Sequence, residues 1–223
     1  GDGTNRAVAK ASGDIPLAPL STGTNNVFPT LMEGTVAGLA AGLVARGVVS
    51  GANVISSGKR LEILRGGEIA DIALIDAVVY DGQHIGSRAI WHEEGIRQIV
   101  LTRAEPYAIG LSAIGGYLDT AGLDADEGLA IETGGGDLFV RAPIAPGMLR
   151  RIAIRASRRM RVGERVAVTH FPNVIALDGE RTLVVHQPEP MEIRLSADGP
   201  RVVDVRAAMR AAAASGFFVE RAA

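Results

Sequence analysis

The apolar and polar positions change period along the chain. Across residues 30–47 they recur at helical spacing: Leu31, Val36, Leu39, Leu43 and Val44 mark one face, Thr30 and Glu33 have the spacing of a capping box, and Gly47 provides the stop. Before it, residues 5–12 suit a short helix ended by Gly13, and residues 15–20 are extended and apolar. Pro16 and Pro19 each remove a ladder donor there, which predicts a strand end or a sheet margin. From about Val54 the period becomes strand-like, with short β-rich runs at 61–64, 71–80, 98–102, 129–132, 138–141, 149–156, 165–169, 174–177, 183–186 and 192–195. Turn signals separate them: Arg65-Gly-Gly, Tyr80-Asp-Gly, Gly134-Gly-Gly, Asp178-Gly and Asp198-Gly. Asp204 then reads as the N-cap of a last helix running through Val205, Ala208, Met209 and Ala212 to Gly216. The pattern predicts α/β followed by all-β: residues 1–50, then a β-rich, sandwich-like or folded-over unit at 51–203, then a helix and tail at 204–223.

Composition narrows the function classes. With 223 residues, 47% apolar, 22% charged and a net charge of -2, the chain is an ordinary globular one and not a general nucleic-acid binder. It has no Cys, which excludes a disulfide framework, thiolate metal sites and thiol redox chemistry, and the default expectation is a cytoplasmic protein. Gly, Pro or charge interrupts every apolar run before the roughly 20 residues of a membrane span. The opening Gly1-Asp2-Gly3-Thr4 has neither the charged nor the apolar region of a signal peptide. Only Lys10 and Lys59 among the 23 basic residues are lysines, a skew that reads as coding bias.

The chemistry concentrates in the first thirty residues. Asp2 stands between two glycines at the mouth of a helix, followed by Thr4 and Asn5; glycines admit a ligand close to the backbone, and free amides at a helix start attract phosphate. Ser21-Thr-Gly-Thr-Asn-Asn26 repeats the device between an extended segment and a capped helix. Two such loops side by side at a sheet edge make a phosphate site.

These residues carry a resemblance. Gly1-Asp2-Gly3-Thr4 resembles the end of the Gly-Gly-Asp-Gly-Thr motif shared by NAD kinases, diacylglycerol-type lipid kinases and phosphofructokinases. Residues 19–29 resemble the second lipid-kinase motif and, most closely, that of the ATP-NAD kinase-like family called acetoin catabolism protein X. Ala70-Asp71-Ile72 is similar to the Asn-Glu/Asp motif of NAD kinases, Leu111-Ser-Ala-Ile-Gly-Gly116 to their Leu-Ser-Ala-Gly-Gly stretch, and Asp178-Gly-Glu180 to the Asp-Gly-Glu/Gln turn of the second domain. The resemblance implies a Rossmann-like N-terminal domain, a β-rich C-terminal domain and a nucleotide site between them. It also implies that the chain opens inside a phosphate-binding motif; the expectation is an N-terminally truncated α/β part with one or two strands and an exposed apolar face.

Carried over by position, the resemblance implies that Asp2 engages the acceptor hydroxyl, most directly the 2′-hydroxyl of NAD. Gly1, Gly3, Thr4, Gly23 and Thr24 would cradle phosphates of ATP or polyphosphate, with Asn5, Asn25 and Asn26 on the nucleotide and Mg²⁺ bridging the donor phosphates. Asp71, Tyr107, Ala108, Ser112, Asp178 and Glu180 would complete the binding site, in a homo-oligomer. There are departures: Ala70 stands where NAD kinases have Asn, Glu105-Pro-Tyr-Ala-Ile109 replaces their Gly-Ser-Thr-Ala-Tyr run, and Ile114 is inserted. The phosphate end is therefore better preserved than the acceptor end. A lipid kinase and a non-catalytic nucleotide-binding protein stand as alternatives.

Other residues predict less. His84, His92, His170 and His186 are isolated. Strand alternation sends Arg151 and Arg155 to a solvated face and Ile152 and Ile154 inward. Gly134-Gly-Gly136 reads as a hairpin turn, and Asp124, Asp126 and Glu127 lack calcium-loop spacing.

Overall fold

The computed structural model describes residues 1–23, 26–81, 93–186 and 188–220. Helices α1 (Asp2–Ala9) and α2 (Gly34–Ala45) come first. No strand forms among the described residues of 1–50; Leu17 and Leu20 make only single parallel bridges, to Val202 and Thr30, as the neighbouring prolines dictate. Strands β1 (Ile55–Ser57), β2 (Arg60–Arg65), β3 (Glu68–Ala73), β4 (Asp76–Asp81) and β5 (Ile96–Leu101) precede helix α3 (Leu111–Leu118). Then come β6 (Glu127–Ala145), β7 (Met148–Arg161), β8 (Arg165–Ala167), β9 (Asn173–Leu177), β10 (Arg181–Val185), β11 (Met191–Ser196), β12 (Arg201–Val203) and helix α4 (Val205–Ala214). The architecture is mixed helix and sheet, mostly strand, with antiparallel pairing within every sheet.

Six strands lie in the order β10-β9-β4-β5-β6-β7, four in the order β3-β2-β11-β8, and β1 pairs with β12. Leu61, Ile63, Ile193 and Leu195 of the four-stranded sheet share one core with Val79, Val100, Ile175 and Leu177 of the six-stranded sheet, so the two sheets face each other. The opposite face of the larger sheet packs under α3 through Ile99, Leu101, Ala113, Ile114, Ile131 and Ile154. Strand β9 is buried along its whole length because it carries side chains into both cores. Helices α2 and α4 pack together through Ala37, Ala40, Leu43, Ala208 and Ala212, with Val203 beneath them. Leu39 remains 46% exposed and lines an apolar surface groove with Val48 and Phe217.

Several local expectations change. Glu33, rather than Thr30, caps α2: its carboxylate accepts from the amides of Thr35 and Val36, while Thr30 is taken by the bridge to Leu20. Helix α1 starts at Asp2, three residues early, so Gly3 and Thr4 belong to its first turn. The run 129–141 is a single strand, and Gly134-Gly-Gly136 is no hairpin turn but an outward bulge. Thr133 and Leu138 both sit opposite Ile154, and all three glycines adopt positive φ. By contrast, Arg65-Gly-Gly does close a hairpin, with Arg65 opposite Glu68 and positive φ at both glycines. The run 71–80 breaks at Leu74 and Ile75 into β3 and β4, a break that shapes the site described next.

Candidate functional site

Helix α1 has Gly1 at its N-cap, and no side chain hydrogen-bonds its first amides. The Asp2 carboxylate turns instead to the neighbouring segment, accepting from the Phe28 amide at 2.8 Å and the Val27 amide at 3.0 Å. Asn26 Nδ2 donates to Ser21 Oγ at 2.9 Å, and Ser21 Oγ donates to the Gly23 carbonyl at 2.7 Å, closing the loop beside Gly1. Thr24 and Asn25 lie outside the described residues, as do His84 and His92. A Cβ on Gly3 would collide with the Glu180 carboxylate, and one on Gly1 would stand 3.0 Å from Asn26 Oδ1. Gly3 thus lies directly against the Glu180 side chain, and Gly1 beside that of Asn26.

Asp178 occupies the tight turn between β9 and β10 at φ 48, a backbone state that Asp tolerates better than most residues. It is 7% exposed, and its carboxylate accepts from the amides of Leu74 at 2.9 Å, Ile75 at 2.8 Å and Asp76 at 3.2 Å. Those amides are the ones freed where the predicted long strand breaks. Thr102 closes the other side, donating Oγ1–H to the Leu74 carbonyl at 2.6 Å.

Arg6, on the inner face of α1, ties the two halves together. Its Nη1 donates to Asp71 at 3.1 Å and its Nε stands 3.9 Å from Asp178 Oδ2. Lys10 at 2.9 Å and Arg181 at 3.5 Å also pair with Asp71. Burial raises the Asp71 pKa, but the hydrogen bonds from Lys10 and the Ile72 amide and the charge of Arg6 outweigh it, leaving Asp71 below the usual carboxylate range.

A pocket of about 110 Å³ opens between these elements. Asp2, Asp76 and Asp178 form its polar side, and Val27, Val78, Ile109, Leu111, Ile144 and Ala176 its apolar wall. Burial drives Asp76 well above the ordinary carboxyl range, with the charges of Asp178 and Asp2 adding to the effect. Asp178 is pushed up to about 6 by burial, opposed by its three amide bonds and reinforced by Asp2.

The structure thus brings Gly1, Asp2, Gly3, Asn26, Asp178 and Glu180 together. Asp71 sits behind the pocket in its ion-pair cluster, and Asp76, five residues on, is the acid from that segment that lines it. Tyr107 is 84% exposed and lines a different cleft, the Ala108 amide closes a turn on Glu105, and Ser112 Oγ, on α3, donates to the Arg103 carbonyl ahead of that helix. From that stretch Ile109, Gly110 and Leu111 reach the pocket. Thr4 is exposed, and the Asn5 side chain donates to the Gly1 carbonyl. Asp76 and Arg6 carry no sequence signal that marks them: one lies in a strand-like run, the other on a short helix. Elsewhere Arg151 and Arg155 face solvent, opposite the buried Ile152 and Ile154. Asp126 and Glu127 pair with Arg161, and Glu127 also with Arg159.

Comparison with known proteins bears on the family of the chain. A family model described as the acetoin catabolism protein X C-terminal domain matches residues 59–198. Acetoin catabolism protein X of Cupriavidus necator is 41% identical over 217 residues, covering 94% of this chain and 60% of that protein, so the chain spans about three-fifths of the relative's length. Among solved structures, yeast NADH kinase complexed with NADH aligns with a TM-score of 0.47 and 13% identity, over 100% of this chain and 65% of that one, a likeness too low to decide fold or activity. The family match over more than half of the residues is decisive: the chain belongs to the acetoin catabolism protein X family.

Proposed function

We propose that the protein is a phosphotransferase that moves a phosphoryl group from ATP or polyphosphate to a hydroxyl acceptor held by Asp2. The observation that carries this reading is the position of Asp2, at the rim of the pocket and on the first turn of a helix whose amides no side chain caps. A hydroxyl and a phosphate can be held side by side there. The acceptor oxygen forms the new P–O bond as the donor's bridging P–O bond breaks, and its proton passes to the Asp2 carboxylate. A loose transition state makes positioning matter more than basicity. In this reading α1, the 21–26 loop and α2 form the phosphate-binding part of a Rossmann-like unit, and the two facing sheets a sandwich-like domain. A cytoplasmic homo-oligomer acting on nucleotide small molecules, without nucleic acid or membrane, belongs to the same proposal; no helix among the described residues is long and apolar enough to cross a membrane.

Mg²⁺ finds no ready-made cradle among the described residues. Among the described residues no group of three or more His, Asp or Glu side chains could hold a metal ion, and Asp2 and Asp178 already accept two and three backbone amides. The transfer step above uses protein groups alone. Incubation with ATP or polyphosphate, Mg²⁺ and NAD, the acceptor implied by the sequence, tests the reading. NADP formation that is abolished in Asp2→Asn supports it, and a variant as active as the parent overturns it.

One observation favours a second reading, a non-catalytic nucleotide-binding protein. Tyr107 and Ala108, in the segment that replaces the acceptor-lining run of the kinases, do not line the pocket, and neither does Ser112 of the next motif; from that segment only Ile109 does. Calorimetry showing nucleotide binding without turnover on any acceptor would select it.

A further inference from the structure

We propose that Arg103 is a positioning residue for Asp2: from outside the pocket it holds the peptide group that grips the Asp2 carboxylate. The task of Asp2 rests on the phosphoryl-transfer reading, whereas the hold of Arg103 on that peptide does not.

One peptide group carries both contacts. Its N–H end, at Phe28, donates to Asp2 Oδ1 at 2.8 Å, and its carbonyl end, at Val27, accepts from Arg103 Nη1 at 3.4 Å. A cation beside the oxygen polarises the amide and makes its N–H a stronger donor, so guanidinium, peptide and carboxylate form a chain in which each contact reinforces the next. The guanidinium also stands 5.3 Å from the centre of the Phe28 ring, and Phe28 is buried against Leu74 and Ile75. The peptide is thereby fixed at its oxygen, its nitrogen and its side chain, and the Asp2 carboxylate that rests on it keeps its place at the pocket.

The same arrangement recurs one residue earlier. Thr102 Oγ1 donates to the Leu74 carbonyl at 2.6 Å, and the N–H of that same peptide group, at Ile75, donates to Asp178 Oδ1 at 2.8 Å. Two consecutive residues just past β5 thus back the two peptides on which Asp2 and Asp178 rest. No acid explains where Arg103 sits. Among the described residues it makes no ion pair, although Glu105 lines the same cleft, and it repels Lys59, a second cation there. Packing alone would need only its aliphatic stem, whereas here the charged head is set on a carbonyl.

Phenylalanine-selective isotope labelling read by amide NMR, together with transfer assays using ATP, Mg²⁺ and NAD, tests this on the parent, Arg103→Met, Arg103→Lys and Asp2→Asn, each checked for folding by circular dichroism. Arg103→Met keeps the stem and removes every donor, so the Phe28 amide proton should move upfield and exchange faster with solvent. Arg103→Lys keeps the charge and should recover part of that shift, which a packing defect would not allow. In Asp2→Asn the other end of the chain is uncharged, and adding Arg103→Met should move the amide less than it does in the parent. Where the parent turns over, Arg103→Met should lower kcat about tenfold while KM for NAD changes less than about twofold. A folded Arg103→Met that keeps the parent's Phe28 amide shift, or the kcat of a parent that turns over, overturns the inference. A moved amide in a protein without turnover supports the hold on the Asp2 peptide and removes the transfer reading, so the two failures are distinguishable.

Discussion

Asp178 shows how much one side chain can organise. Its carboxylate takes three backbone amides from a segment about a hundred residues earlier, and its own backbone adopts a left-handed state. Asp178→Ala leaves those buried donors unmatched and places Ala at a positive φ, so the expected loss is about 3 kcal/mol or more, measured by urea unfolding. Asp178→Asn keeps an acceptor and the turn preference and should lose clearly less. In the sequence this residue is legible only as a member of an Asp-Gly turn and, by resemblance, as a site residue. The partners that make it structural are out of reach of local pattern. Asp76 is less visible still, because a carboxyl inside a strand-like run looks the same whether it faces solvent or a pocket.

Elements follow local rules where their signals are local. Asp204 caps α4 as expected, accepting from the Ala207 amide at 2.8 Å, and Asp204→Ala should lower thermal stability by about 1 kcal/mol. Helix α2 starts three residues after the capping-box pattern because Thr30 is already spent on a bridge, a competition that spacing alone does not reveal. The segment that forms helix α3 carried only a motif resemblance, and no helix was expected there. Its Gly116 lies against the backbone of Glu105 and Pro106, where a Cβ would collide. Gly116→Ala should therefore cost about 1–3 kcal/mol in chemical denaturation despite the better helix propensity of Ala. A stabilised Gly116→Ala would show that this contact yields.

For the whole molecule, the two sheets stand or fall with their shared core. Ile193, fully buried between them, should cost about 2–5 kcal/mol on truncation to Ala, read from the unfolding midpoint. Titration couples to the same assembly. Asp76 and Asp178 have folded pKa values raised by burial, so the stability they contribute is fully present below their ordinary value of 3.8 and is lost as pH rises through the raised values, about 6 for Asp178. Asp71 and Glu62 run the other way. Burial of each is outweighed, at Asp71 by Lys10, the Ile72 amide and Arg6 and at Glu62 by Arg60 and Arg194, so their contribution is lost as pH falls through the lowered values. Thermal unfolding followed from about pH 5 to about pH 8 should show stability declining toward the alkaline end. Asp76→Asn should flatten that decline, and an unchanged slope would remove Asp76 from the account.

What the sequence by itself determined is what depends on neighbours in the chain. The two-residue period announced most of the strands, paired glycines the β2–β3 hairpin, and an Asp before an apolar run the cap of α4. The Gly-Asp-Gly-Thr motif marked the corner where α1 comes beside Asn26. Only the tertiary structure decided that the run 71–80 breaks, that Arg6 bolts α1 to Asp71 near Asp178, and that Asp76 reaches the pocket while Asp71 does not. Backbone sterics and side-chain alternation act over a few residues and leave a readable period. Hydrogen-bond satisfaction and charge pairing are settled only once distant segments are packed together.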